Sequence, residues 1–214
     1  MSGAPDSRHR DLTDYNGYVF EVGVLQVRHP DGQVFSFDPG SLSMALAITG
    51  TPNGLFEGLR NTTDLATWAT TVLGVPELAA SPGDLARARR LRSAIWRGTD
   101  AVVEGEPPSA ADQRVLNDAA RAAPMRRRFS ADGTLTWAQP VTAAAVLSAV
   151  AGDAIELLGG PRAARLKRCQ GVNCSIPFVD TSRPGNRRWC SMDRCGNRAK
   201  ARTHYKQHRQ EASR

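Results

Sequence analysis

The chain has 214 residues, with 28 Lys+Arg against 21 Asp+Glu and a formal net charge of +7. That length supports one sizeable core, or a core domain with a small added module. No run approaches the roughly 18 apolar residues that span a bilayer, and Met1 to Arg10 hold no apolar stretch of a signal peptide; the expectation is a cytoplasmic protein with no membrane partner.

Residues 1–17 are charged and contain Gly, Ser and Pro, which predicts a flexible tail. Tyr18 to Arg28 is rich in β-branched and aromatic residues, His29-Pro-Asp-Gly32 signals a turn, and Gln33 to Phe37 alternates, so a β-hairpin is expected. Ser41 to Ile48 is short and apolar and fits strand or helix. Thr63 to Leu73 places Leu65, Trp68, Ala69 and Val72 on one helical face, with Gly74 as the stop. Ser81-Pro-Gly-Asp84 is a capped start for a helix carrying Leu85, Ala88, Leu91, Ile95 and Val102. Arg87, Arg89, Arg90 and Arg92 on it read as a solvated face. Ser109 to Asp112 opens another helix with Val115, Leu116 and Ala119 inward. Arg127 to Trp137 predicts a second hairpin around Asp132-Gly133, and Thr142 to Leu158 a long Ala-rich helix. Trp68, Trp96 and Trp137 are core candidates. Gly159-Gly-Pro161 then separates body from tail. The expected fold is α+β: a mainly helical domain with β-hairpins over 18–160 and a small module over 161–214.

The body offers no Gly-rich phosphate loop, paired-carboxylate motif or nucleophile elbow. Neither His9 nor His29 has a carboxylate or cysteine beside it in sequence. An enzyme is therefore not the expectation.

Charge is divided unevenly. Residues 162–214 carry a net +11 and the remainder a net −4. An acidic body with a basic tail points to a polyanionic partner for the tail alone. All four cysteines lie in that tail, as Cys169-x4-Cys174 and Cys190-x4-Cys195. A reduced compartment disfavours disulfides, and no Cys-x-x-Cys supports redox chemistry. Two close pairs of soft ligands suit one tetrahedral Zn2+. Four thiolates close its shell, so the zinc is read as structural. Arg165 to Arg168 is extended; Ile176 to Val179 and Arg187 to Trp189 read as two short strands joined by a turn. With a helix returning Cys195, these make a treble-clef-like finger. His204 and His208 could replace a cysteine, but surface placement is the better reading.

Four thiolates on one Zn2+ leave a net −2, which Arg168, Arg187, Arg188 and Arg194 would offset. Beyond them, Arg194, Arg198, Arg202, Lys206 and Arg209 recur every three or four residues. On a helix they fall within an arc of about 120°. Like charges at that spacing repel, so an anion on the stripe would relieve it. The stripe itself does not choose between DNA and RNA. The sequence shows no pair of aromatics on strands of the kind that stacks single-stranded bases, which favours a duplex with the helix in or along the major groove. A solvated face is the plain alternative.

The segments Cys169-Gln-Gly-Val-Asn-Cys174, Phe178-Val-Asp180, Arg187-Arg-Trp-Cys-Ser-Met192 and Cys195-Gly-Asn-Arg-Ala-Lys200 resemble the CGNR zinc finger. Phe35-Ser-Phe37, Asp64-Leu65 with Trp68, and the Arg89-to-Arg97 helix resemble, more loosely, the ABATE domain of stress-induced transcription regulators. The resemblance implies a bacterial zinc protein with the four cysteines as ligands and a DNA-binding finger. It would give Gly196 a close approach to the thiolate, Asn197 a bond to backbone or sulfur, and Arg198 a phosphate or the site. The expected function is a one-component transcription regulator whose N-terminal domain senses a small-molecule effector or forms a homodimer. The alternative is an interaction adaptor whose finger docks an acidic protein or RNA.

Overall fold

A computed structural model describes residues 24–28, 32–54 and 56–211. The expected tail at 1–17, the first part of the first hairpin, and its His29 to Asp31 turn residues lie outside them. Strands β1 (Leu25–Arg28) and β2 (Val34–Phe37) pair antiparallel, with Leu25 opposite Phe37. Alternation along β2 buries Phe35 and Phe37 and turns Val34 outward. Ser41 to Ile48 resolves as helix: α1 (Leu42–Ala47) is buried at every residue, and Ser41 caps it by accepting from the Met44 N–H.

Helix α2 (Thr62–Leu73) starts one residue before the expected Thr63. Asn61 and Asp64 form a reciprocal capping box, and Gly74 ends the helix at φ 67°, where a side chain would be strained. Helix α3 (Pro82–Val103) opens with Ser81 and Asp84 in a second capping box and Pro at its start. Helix α4 (Ala110–Ala119) is capped by Ser109, and Asp112 beneath the cap pairs with Arg97 of α3. Strands β3 (Arg127–Phe129) and β4 (Leu135–Trp137) form the expected second hairpin. Helix α5 (Ala143–Gly159) lies at the centre and touches α1, α3 and α4. Its small Ala residues let neighbouring helices approach closely. The three core Trp residues are all buried, and the indole N–H groups of Trp68 and Trp137 donate to the carbonyls of Ala45 and Leu73.

The arginine run on α3 departs from a solvated face. Arg87 and Arg90 are exposed, but Arg92 is 7 % exposed, and both of its terminal nitrogens donate to the Glu57 carboxylate at 2.6 Å. Arg89 donates to the Leu59 carbonyl at 2.9 and 2.7 Å. Two members of the run therefore clamp the loop between α1 and α2 onto α3. A fork of this kind is bidentate and rigid. Burial alone would raise the Glu57 carboxyl; the guanidinium of Arg92 holds it below its usual range.

Gly159 ends α5, and a short 3-10 turn (Pro161–Arg165) follows. The tail does not stand apart. Strand β5 (Leu166–Arg168) pairs with β6 (Pro177–Val179), and both contact α3. This corrects the expected pairing of 176–179 with 187–189. The hairpin encloses the first cysteine pair, while 187–189 is irregular. Leu166 and Val179 join the main core. Arg168 pairs with Asp100 of α3 at 2.6 Å, the Val179 N–H donates to the Pro39 carbonyl, and Arg162 donates to that of Gly40. Helix α6 (Asn197–Glu211) completes the chain.

Replacing Arg92 by Ala removes the bidentate partner of the two-thirds buried Glu57 and leaves it the Leu59 N–H and a longer contact with Arg89 at 3.6 Å. A loss of about 2–4 kcal/mol is expected, below the full figure for a wholly buried pair. Denaturant unfolding of Arg92→Ala, with Arg90→Ala nearly unchanged as control, measures it.

Candidate metal centre

The four cysteine sulfurs lie within 4.8 Å of one another. A tetrahedron with metal–sulfur bonds of about 2.3 Å has edges of about 3.8 Å. Sγ of Cys174 lies 3.8 Å from that of Cys190, which lies 3.7 Å from that of Cys195. The donor set and its spacing therefore fit one Zn2+, held by Cys169, Cys174, Cys190 and Cys195 with no ligand position left for water. Cys169, Cys190 and Cys195 are buried and Cys174 is half-buried.

The local chain shapes this cage. After β5, Cys169 begins a knuckle in which the N–H groups of Gly171 and Cys190 point at its sulfur, at 3.4 and 3.3 Å. Asn173 turns the knuckle with φ 59°, a left-handed conformation that Asn tolerates. A Cβ on Gly171 would lie 2.9 Å from the Cys195 sulfur, so only glycine fits there. This is the close approach to a thiolate that the resemblance placed at Gly196. Gly196 instead faces Met192 and Trp189. A π-helical turn (Met192–Gly196) delivers Cys195 and runs into α6. Asn197 donates to the Asp193 carbonyl at 3.3 Å, a backbone bond.

Without the metal, the neighbouring thiols of Cys169, Cys174 and Cys190 set one another apart in acidity. Hydrogen bonds from Cys174 and Cys190 push the Cys169 thiol far down, while the same contacts push Cys174 and Cys190 up. A divalent cation removes that conflict by making every sulfur a thiolate, and its binding releases protons.

The wall of the cage comes from outside the tail. Phe35 and Phe37 of β2 form one apolar cluster with Phe178, Cys169, Cys190 and Cys195, and Val27 packs against it. A hairpin expected to belong to the helical body thus closes over the metal. Arg187 bridges the two parts: it donates to the carbonyls of Cys190 and Asp38, and its guanidinium lies 4.4 Å from the Phe178 ring centroid.

Of the arginines flanking the ligands, Arg194 reaches sulfur. Its Nη1 lies 4.0 Å from Cys195 Sγ and its guanidinium 5.4 Å from the Phe35 ring centroid. Arg194 is 3 % exposed. It therefore leaves the surface stripe in which its spacing had placed it, because the turn before α6 rotates it inward under β2. Arg168 is spent on Asp100 and Arg188 on Gln170. Arg198, Arg202, Lys206 and Arg209 remain exposed, with Arg198 bonded to Gln33 at 3.0 Å. His204 and His208 are exposed, their rings edge to face 4.3 Å apart, and they take no part in the cage.

Residues 40–161 match the family model of ABATE, described as "Putative stress-induced transcription regulator". That span is more than half of the chain.

The chain belongs to the ABATE family.

Residues 165–208 match the CGNR zinc finger, in agreement with the tetrapeptide at 195–198. No curated protein matches the chain. In this ABATE-family protein, β1 and β2 lie before both matched spans, so Phe35-Ser-Phe37, for all its resemblance to the ABATE domain, falls outside the match. Among the described residues, no helix is long and apolar enough to cross a membrane.

Metal analysis should find one zinc per chain, lost in Cys190→Ser. The excised segment 161–214 lacks Phe35 and Phe37, whose burial contributes on the order of 2 kcal/mol each. It should bind zinc at least about tenfold more weakly than the full chain in a competition with a chromophoric chelator. Equal affinities would show that the hairpin is only an onlooker.

Proposed function

We propose that this ABATE-family zinc protein is a transcription regulator that binds DNA through the exposed face of α6. One observation carries the reading: every described residue from Lys200 to Arg209 is exposed, on a helix whose first turn is anchored to the zinc cage. Arg198, Arg202, Lys206 and Arg209 fall within an arc of about 80° on it. With Arg194 buried, the stripe is shorter than its spacing implied, but it is also narrower. A helix this polar has little packing to stabilise it beyond its first turns. The zinc nucleus supports it, and a polyanion would relieve its like charges. The name of the matched family agrees with this reading.

The helical body takes the part of effector sensor or dimerisation unit. Its route to the finger is short. Asp38 and Gly40, at the entry to α1, bond Arg187 and Arg162 of the tail, and Asp100 of α3 bonds Arg168 beside a zinc ligand. A shift of α1 or α3 would be felt at the cage.

Exchanging Arg198, Arg202 and Lys206 together for Ala should weaken DNA binding strongly while zinc content stays at one. The slope of log K against log salt should fall by about 3, near one per lost phosphate contact. Gel shift or fluorescence anisotropy over a salt series measures both. Unchanged binding would rule out the stripe. Failure to bind DNA at low salt, with binding to an acidic protein, would favour the adaptor.

A further inference from the structure

A pocket of about 170 Å3 opens between the knuckle of the first cysteine pair and the start of α6. Gln170, Val172, Trp189, Arg198 and Arg202 line it, and Cys195 lies at its buried end. Its chemistry is mixed in a particular way. Val172 is 63 % exposed and Trp189 half-buried, so an apolar and aromatic lining meets solvent. Two guanidinium groups of the stripe lie on the same opening. A third, Arg188, lies over the Trp189 ring 4.9 Å from its centroid, outside the pocket lining, so the part of the indole that lines the pocket is the part open to a ligand. The side-chain carbonyl of Gln170 accepts from Arg188 at 2.8 Å, which orients its amide.

We propose that this pocket takes one unstacked nucleobase of a bound nucleic acid, whose flanking phosphates lie on Arg198 and Arg202. The inference rests on the nucleic-acid reading of α6 and adds to it which form is preferred. An acidic peptide would satisfy the guanidinium groups but leave Val172 and the pocket side of Trp189 uncovered. A nucleotide satisfies both: its ring offers a π face to the indole, its edge a partner to the Gln170 amide, and its phosphates the charge. Bases inside a matched duplex are stacked and paired. Extracting one breaks that stacking and pairing, at least cost where the base is already unpaired. The finger therefore prefers DNA carrying a bulged or overhanging nucleotide, or a single strand, over a matched duplex. No aromatic pair on strands announces this in sequence, because the ring comes from the irregular segment before Cys190.

The test uses the full zinc-loaded chain and three DNAs: a matched duplex, the same duplex with one unpaired nucleotide, and that bulge without its base. The wild type should bind the bulge about tenfold or more tighter than either of the others, the range expected for one base stacked on an aromatic ring. Val172→Asp, at an exposed position, should abolish that preference and leave zinc content unchanged. Trp68, Trp96 and Trp137 are buried, so quenching of tryptophan emission on binding reports Trp189 and should vanish in Trp189→Phe. Equal affinity for the three DNAs would overturn the pocket and leave the stripe standing. No binding to any of them at low salt would overturn the stripe as well. Binding of an acidic peptide that Val172→Asp abolishes would replace the nucleotide by a protein partner.

Discussion

Four cysteine thiolates around one divalent ion impose the constraint on which the arrangement of this chain depends. Alone, the sulfurs crowd one another, and contact pushes the Cys169 thiol down while it pushes Cys174 and Cys190 up. With Zn2+ they become a compact anion that demands apolar cover and nearby positive charge. The chain supplies the cover from β2, as Phe35 and Phe37, and the charge from Arg194, which lies between Phe35 and the Cys195 sulfur. The metal therefore does more than pin a tail. It joins three segments far apart in sequence: the first hairpin, the knuckle after β5, and the start of α6.

That junction links the cage to the helical body. The strand that covers the zinc leads through Asp38 and Gly40 directly into α1, which is buried throughout and packed on α5. The knuckle strand β5 lies on α3, tied by Arg168 and Asp100. Between body and α6 there is no free linker. Two rigid routes converge on the same cage, one through α1 and one through α3. A finger built this way is suited to transmit a change in the body, because packed elements shift as units and do not deform smoothly.

Much of this was legible in sequence where the signal is local. Ser81 and Asp84 mark their helix start through cap chemistry, Gly74 marks a stop, and Asp132-Gly133 marks a turn. The cysteine spacing gave the metal cage because few other chemistries gather four thiols in a short span. What sequence could not show were the long-range partners. Arg92 looks like any member of a charge run, since Glu57 lies 35 residues away. The spacing of Arg194 fits the stripe, and only the π-helical turn and Phe35 reveal that it points inward. Alternation along β2 told that Phe35 and Phe37 face a core, but not that this core holds a metal. The irregular run before Cys190 resembled a strand because Arg187 to Trp189 has the right residue types, yet β6 had already found its partner in β5.

The direct test of this linkage is amide hydrogen exchange on the zinc-loaded chain, before and after chelation. Protection in β1 and β2 should fall together with that of Leu166 to Gly196, while α3 and α5, which belong to the larger core, keep theirs. If the hairpin stays protected when the metal leaves, it is held by the helical body alone, and the account of a shared cage is wrong.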